Sequence, residues 1–144
     1  RVPTPMAAPA EEDVDVLLVS YGHRYGALRE SPALAFDARG VSNPPRALRQ
    51  THTGLSARLQ RELRAEPLAA RVAGAARDAA RARRPGDPPI LVAVGCEHGV
   101  HRSVALCELA AAALVQEGLR AATRHRDLER HAGAGGGRAP RKGR

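Results

Sequence analysis

Aromatic residues are nearly missing from the sequence, which has no Trp, one Phe and two Tyr. Single-stranded nucleic-acid platforms stack bases on Phe, Tyr or Trp, so this composition argues against such a platform. Hydrophobic residues still make up 43% of the 144 residues, so the chain can bury a core, and that core must be aliphatic. The length suits one domain.

Cysteine is also scarce, since Cys96 and Cys107 are too few for a disulfide framework. We expect both to be reduced thiols in a cytoplasmic protein. No apolar run approaches the ~20 residues that span a membrane, and the first ten residues lack a signal-peptide stretch, so no membrane partner is expected. The histidines and thiols lack the spacing of a structural zinc site, and we expect no metal and no cofactor.

Positive charge is concentrated at the C-terminal end. Residues 120–144 carry eight basic side chains against Asp127 and Glu129, which accounts for +6 of the formal net charge of +8. A basic end favours a polyanion such as RNA, and a solvated, solubilising tail is the equally weighted alternative. Because the sequence starts at Arg1 rather than Met, we expect either a fragment or a start at Met6.

The order of predicted elements indicates an α/β fold with a small, mostly parallel sheet flanked by helices. Strands are predicted over 14–20, 33–38, 90–94 and 121–125; helices over 57–83, with Pro67 as a point of interruption, and over 103–116; and an ordered loop over 40–56. The organisation is a disordered leader over 1–12, one domain over 13–131 and a disordered Gly- and Arg-rich basic tail over 132–144.

The loop between the third strand and the last helix carries the main functional prediction. In parallel sheets, ligands bind beyond the carboxyl ends of the strands, where this loop lies. Gly95 and Gly99 allow a tight turn whose N–H groups face an anion, and the following helix directs its N-terminal dipole to the same point. Side chains that add donors are His98, His101, Arg102 and Ser103. We therefore predict a phosphate-binding loop over residues 95–103.

The same residues match the pattern CxxGxxR[ST] of cysteine-dependent phosphatases, beginning at Cys96 and ending at Arg102 and Ser103. That chemistry uses a thiolate under the phosphate, with amides and Arg stabilising the transition state. Two features argue against it: Gly95 stands where those phosphatases usually have His, and no Asp-bearing loop is clearly placed to protonate the leaving group, which leaves only Asp37 open for that role. A non-enzymatic binding module is the preferred interpretation, and a cysteine phosphatase using Cys96 and Arg102 is the alternative.

Two further side chains are candidates for the same cleft. Ser20 ends the first predicted strand and Asp37 ends the second, so both are predicted to face the ligand, with a structural ion pair as the alternative for Asp37. The motif GxxxxGK[ST] does not occur, which argues against a Walker-type nucleotide site. The sequence is compatible with a homo-oligomer and does not decide the oligomeric state.

Several short motifs together resemble the C-terminal domain of the RNase adapter protein RapZ, in that family's order. The matching motifs are Ser20-Tyr21-Gly22, Phe36-Asp37-Ala38-Arg39, Asn43-Pro44, Thr53-Gly54, Gly95-Cys96, His101-Arg102-Ser103-Val104 and Arg124-His125-Arg126-Asp127-Leu128-Glu129. The resemblance implies a domain similar to a phosphofructokinase subdomain, a pocket for glucosamine-6-phosphate and an RNA-binding surface. Because the family's N-terminal P-loop ATPase domain is missing from the sequence, it also implies a stand-alone version of this domain.

Site residues are implied by the resemblance at matching positions. The pocket would use Cys96, Glu97, His98, Gly99, His101 and Arg102, and the RNA surface would use Arg124, His125, Arg126 and Arg130. The sequence has Glu97-His98 where the family usually has Thr-Gly. A carboxylate beside a phosphate is unfavourable unless it points away from the ligand or binds a sugar hydroxyl or amine, so this departure leaves the identity of the ligand open.

Overall fold

A computed structural model describes residues 10–130 of the chain. Within this range the chain forms one four-stranded, all-parallel sheet with the strand order β2-β3-β1-β4. The strands are β1 (Val16–Gly22), β2 (Leu34–Asp37), β3 (Ile90–Cys96) and β4 (Ala121–His125). The predicted α/β class is confirmed, and each predicted strand is present.

The register aligns the carboxyl ends of the strands at one edge. Gly22 of β1 lies beside Cys96 of β3, and Asp37 of β2 lies beside Gly95. β1 and β3 are the two central strands, and each runs two residues further than predicted. The segments that leave these ends therefore meet at the same edge of the sheet, as parallel α/β folds require of a ligand site.

The α-helices pack their apolar sides on one face of the sheet. They are α1 (Arg46–Thr51), α2 (Ala57–Leu63), α3 (Pro67–Arg81) and α4 (Arg102–Gln116). Their aliphatic side chains form the main core with the even-numbered residues of β1 and β3, among them Val16, Leu18, Val92 and Val94. This core is aliphatic, as the composition predicts, and α4 lies against all of β1, β3 and β4.

The opposite face of the sheet is covered by a smaller cluster. Val14, Leu17, Val19 and Ala122 are buried there, and Leu28 packs against them from the segment between β1 and β2. Alternate residues of one strand thus enter two different cores, which explains why β1 is a continuous apolar run rather than an alternating one.

Two predictions concern the central part of the chain. The predicted interruption at Pro67 is confirmed, because the helix predicted over 57–83 is two helices, with Pro67 as the first residue of α3 and Glu66 before it extended. The prediction of a loop over 40–56 is wrong in part, since α1 lies within it after Pro45. A six-residue helix is too short to produce a periodic pattern in the sequence.

The ends of the domain are described only in part. Glu11–Asp13 form a short 3-10 helix, so the last residues of the predicted leader are ordered. Residues 1–9, the rest of that leader, and 131–144, which include the predicted basic tail, lie outside the described residues. None of the described helices is long and apolar enough to cross a membrane.

Candidate functional site

Two glycines shape the predicted phosphate-binding loop, residues 95–103. Gly99 has a φ of +78°, a backbone conformation that L side chains rarely adopt. A side-chain carbon at Gly99 would lie 2.5 Å from the Gly22 amide nitrogen, and one at Gly95 would lie 2.6 Å from the Tyr21 ring. The sequence therefore needs glycine at both positions to keep this loop against β1.

The Cys96 thiol is enclosed by the loop that follows it. The residue is 3% exposed, its Sγ accepts a hydrogen bond from the Gly99 amide at 3.3 Å, and Sγ lies 3.0 Å from the Ser103 hydroxyl oxygen. Ser103 is completely buried. These contacts close the loop on itself, with the thiol at its base.

A cavity of about 370 Å³ opens beside the loop at the carboxyl edge of the sheet. It is lined by Asn43, Arg49, Cys96, Glu97, His98, Val100, His101 and Arg102. Five residues predicted for the ligand, Cys96, Glu97, His98, His101 and Arg102, are thereby brought together. Its other wall comes from the segment between β2 and α1 and from α1 itself.

The cationic groups at this cavity are oriented by backbone carbonyl groups. Arg102 donates from Nη1 to the carbonyl oxygens of Arg39 and Val41 at 2.9 and 3.0 Å. Arg49 donates from Nε to the Pro44 carbonyl oxygen at 2.8 Å. Among residues 10–130 neither guanidinium is ion-paired with a carboxylate within 4 Å. Their positive charge therefore remains available at the cavity.

Two histidines and a helix end complete the site. His101 Nε2 lies 3.0 Å from the Arg49 carbonyl oxygen, to which it donates, and His98 Nε2 accepts from Arg24 Nη1 at 2.9 Å. α4 begins at Arg102 and is 15 residues long, so its N-terminal dipole adds partial positive charge at the same edge. The arrangement suits an anion with several acceptor oxygens.

Ser20 lies away from this cavity, because β1 continues for two residues beyond it. Its side chain is fully buried on the helix side of the sheet, 2.7 Å from His125 Nδ1. His125 Nε2 in turn lies 2.7 Å from a Glu108 carboxylate oxygen. The hydrogen bond from His125, more than any other contact, holds the pKa of Glu108 below its ordinary value. Ser20 and His125 thus join β1, β4 and α4 through a polar chain.

Asp37 also lies outside the cavity lining, on the opposite face of the sheet from Phe36. It accepts hydrogen bonds from the Arg39 guanidinium and backbone amide and lies 3.6 Å from His23 Nε2. The Arg39 side-chain hydrogen bonds are the main reason that the pKa of Asp37 falls to about 2. The Arg39 carbonyl oxygen is one of the acceptors of Arg102, so Asp37 contacts the site through Arg39.

The arginines predicted for RNA are paired with carboxylates. Arg124 bonds Glu30 at 2.7 Å and lies 3.7 Å from Glu11. Arg126 and Arg130 both donate to Asp127, which is completely buried. Arg130, the most exposed of the three at 53%, also lies over the Tyr25 ring at 4.6 Å. Much of the charge of this segment is therefore balanced locally.

Sequence reasoning missed two residues of the cavity, Asn43 and Arg49. Both belong to residues 40–56, the long segment that the sequence predicts as a loop, and Asn43 lies within a motif quoted for the family resemblance. Arg49 is one of many exposed-looking arginines, and its role depends on the turn of α1 toward the loop. In the described part of the chain, no group of three or more His, Cys, Asp or Glu residues could hold a metal ion.

Comparison with known proteins decides the family. The model of the RapZ C-terminal domain matches residues 14–129, which is most of the chain. This protein belongs to the RapZ C-terminal domain family. The resemblance inferred from the short motifs is confirmed, and the matched region contains the whole cavity.

Curated relatives carry this domain within longer chains. A nucleotide-binding protein of Salinispora tropica is 38% identical over 122 residues, which cover 80% of this chain and 40% of the relative. A nucleotide-binding protein of Rhodospirillum rubrum is 36% identical, and one of Streptomyces coelicolor is 33% identical. These alignments cover 81% and 86% of this chain, but 38% and 43% of the relatives. The chain thus spans about two fifths of their length.

Proposed function

We propose that the 95–103 loop binds the phosphoryl group of a small molecule, and that the domain is a regulatory binding module. The observation that carries this proposal is one cavity in which Arg49, Arg102 and His101 meet the N-terminus of α4. Guanidinium groups that donate to carbonyl oxygens keep their full charge for a dianionic ligand. Membership of the RapZ C-terminal domain family is consistent with a regulatory binding domain.

Glu97 narrows the class of ligand. It is exposed and lines the same cavity as Arg102, so a negative group lies beside the cationic ones. A ligand with a phosphate at one end and a protonated amine at the other would satisfy both charges. We therefore propose an amino-sugar phosphate of the glucosamine-6-phosphate type.

Calorimetric titration with glucosamine-6-phosphate, glucose-6-phosphate, inorganic phosphate and nucleotides tests this proposal. Nucleotides belong in the panel because the relatives are named for binding them. The expected result is saturable binding of the amino-sugar phosphate, which Arg102→Ala should weaken about 10- to 100-fold. Arg71→Ala, at an exposed position on α3, is the matched control and should bind like the wild type. No binding by any of these compounds would overturn the proposal.

RNA binding is a separable part of the proposed function. It is supported by the exposed Arg24 and Arg130, whose guanidinium groups both lie against the Tyr25 ring, and by the basic composition of residues 120–144. Binding of this kind should weaken steeply with salt. Replacing Arg124, Arg126 and Arg130 together by Ala should lower the affinity, and unchanged binding in that triple variant would remove this segment from the proposal.

A cysteine phosphatase is the second candidate, and one observation favours it. The Gly99 amide and the Ser103 hydroxyl both lie against Cys96 Sγ, where they would stabilise a thiolate. Hydrolysis of an aryl phosphate by the wild type, lost in Cys96→Ser, would support this activity. If no turnover is found while Cys96→Ser still binds phosphate, Cys96 is a wall of the binding site rather than a nucleophile.

A further inference from the structure

Among residues 10–130, Asp127 is the one charged residue whose side chain is completely buried. Its carboxylate accepts the Gly22 amide at 2.7 Å, the Arg126 guanidinium at 3.0 Å and Arg130 Nε at 3.1 Å. Burial by itself raises the pKa of Asp127, but the Arg126, Gly22 and Arg130 donors outweigh it and keep the pKa below its ordinary value. A buried anion with so many donors is held in one place.

The backbone bond from Gly22 connects this carboxylate to the phosphate-binding loop. A side-chain carbon at Gly22 would lie 2.5 Å from the His98 carbonyl oxygen, so these two backbones touch with no side chain between them. A carbon at Gly99 would lie 3.1 Å from the Asp127 Cβ. Two residues beyond Gly22, a second backbone contact joins the same two segments, because the Arg24 amide donates to the Glu97 carbonyl oxygen at 3.1 Å.

We propose that Asp127 is a positioning residue for the phosphate-binding loop, acting through the Gly22 amide on the backbone of His98 and Gly99. The inference rests on the proposed function, because its consequence for a ligand requires that the loop binds one. Asp127 does not line the cavity, so it contacts no ligand there itself. Its role is to fix the end of β1, against which the loop takes its positive φ at Gly99.

The obvious competing explanation is that Asp127 only neutralises Arg126 and Arg130 and anchors the C-terminal segment. Four variants separate the two roles. Asp127→Ala removes the bond to the Gly22 amide and the ion pairs with the two arginines. Asp127→Asn keeps an acceptor oxygen for Gly22. Asp127→Glu keeps the charge for the arginines but displaces the oxygen from the Gly22 amide. Arg130→Gln is the matched control, since it breaks one ion pair and leaves the Gly22 bond in place.

Affinity for glucosamine-6-phosphate and amide hydrogen exchange at Gly99 are measured on the four variants and the wild type. We expect Asp127→Ala to weaken binding at least 10-fold and to speed exchange at Gly99. Asp127→Glu should share both effects to a smaller degree. Asp127→Asn and Arg130→Gln should stay within about 3-fold of the wild-type affinity.

Wild-type affinity and exchange in folded Asp127→Ala would overturn the inference. Should that variant not fold, Asp127→Glu decides, and wild-type behaviour there would be equally contradictory. An Asp127→Asn variant as impaired as Asp127→Ala would overturn the route through Gly22, because the acceptor is kept. If the wild type binds no phosphorylated compound, the proposed function fails, and the exchange at Gly99 still tests the positioning role.

Discussion

Arginine side chains in two regions of the molecule have different partners, although the sequence offers no sign of the difference. At the cavity, Arg49 and Arg102 donate to carbonyl oxygens. In the C-terminal segment, Arg124 and Arg126 are bound to carboxylates. A carbonyl orients a guanidinium without cancelling its charge, whereas a carboxylate does both. Charge density along a sequence therefore does not indicate where a protein presents its charge.

The largest expected contrast is in stability, between loss of the buried carboxylate of Asp127 and loss of the exposed carboxylate of Asp37. Asp127→Ala leaves the buried Gly22 amide without an acceptor and should lower the free energy of unfolding by roughly 2–4 kcal/mol. Asp37→Ala breaks an exposed pair with Arg39 and should cost at most about 1 kcal/mol. Urea denaturation of both variants checks this order, and equal losses would mean that the Asp127 cluster is not the tighter one.

Arg102→Ala and Arg124→Ala compare one arginine from each region. Loss of charge-assisted bonds at the cavity should weaken phosphate binding about 10- to 100-fold. Arg124 is ion-paired with Glu30 and Glu11 and does not line the cavity, so its loss should change phosphate affinity less than about 2-fold. Calorimetry on both variants makes the comparison. Similar losses in the two would show that binding follows overall charge rather than the cavity.

The pH dependence of stability should reveal the exposed ion pair between Asp37 and Arg39. Since the pKa of Asp37 is about 2 in the folded protein and 3.8 ordinarily, the pair contributes fully above about pH 4 and its contribution disappears as the pH falls toward 2. The difference in melting temperature between the wild type and Asp37→Asn should therefore shrink over that window. A difference that is constant from pH 5 to pH 2 would contradict the assigned ion pair.

The smallest effect is expected for single arginines on RNA. Arg130 is 53% exposed and Arg124 is 38% exposed with two carboxylate neighbours, so Arg130 is the better phosphate contact. Arg130→Ala should reduce the slope of log affinity against log salt by about 1, and Arg124→Ala by less. Filter binding over a salt series measures both slopes. A larger change for Arg124 would reverse the proposed order.

Sequence patterns predicted the features that depend on local chemistry. Continuous apolar runs predicted the strands of the parallel sheet, and Gly95 and Gly99 predicted the tight turn between β3 and α4. Gly118, two residues after the end of α4, has a φ of +87°, a conformation in which glycine commonly terminates a helix. Each of these follows from a conformational preference of the residue itself.

Features that depend on tertiary contacts could not be predicted from the sequence. Ser20 was expected at the cleft because its strand was predicted to end there, but β1 continues to Gly22 and the alternation of the strand directs Ser20 beneath α4. Arg49 reaches the cavity only because α1 forms. The burial of Asp127 requires contacts between the C-terminal segment and the end of β1, which lie 105 residues apart.

The central claim is that the 95–103 loop binds a phosphoryl group, and a nuclear magnetic resonance titration of the ¹⁵N-labelled chain with glucosamine-6-phosphate tests it most directly. The largest saturable shifts should occur at the amides of Gly99, Arg102 and Ser103, and Arg102→Ala should move their midpoint to a ligand concentration about 10- to 100-fold higher. Shifts confined to residues 124–130, or no saturable shift at any amide, would contradict the claim.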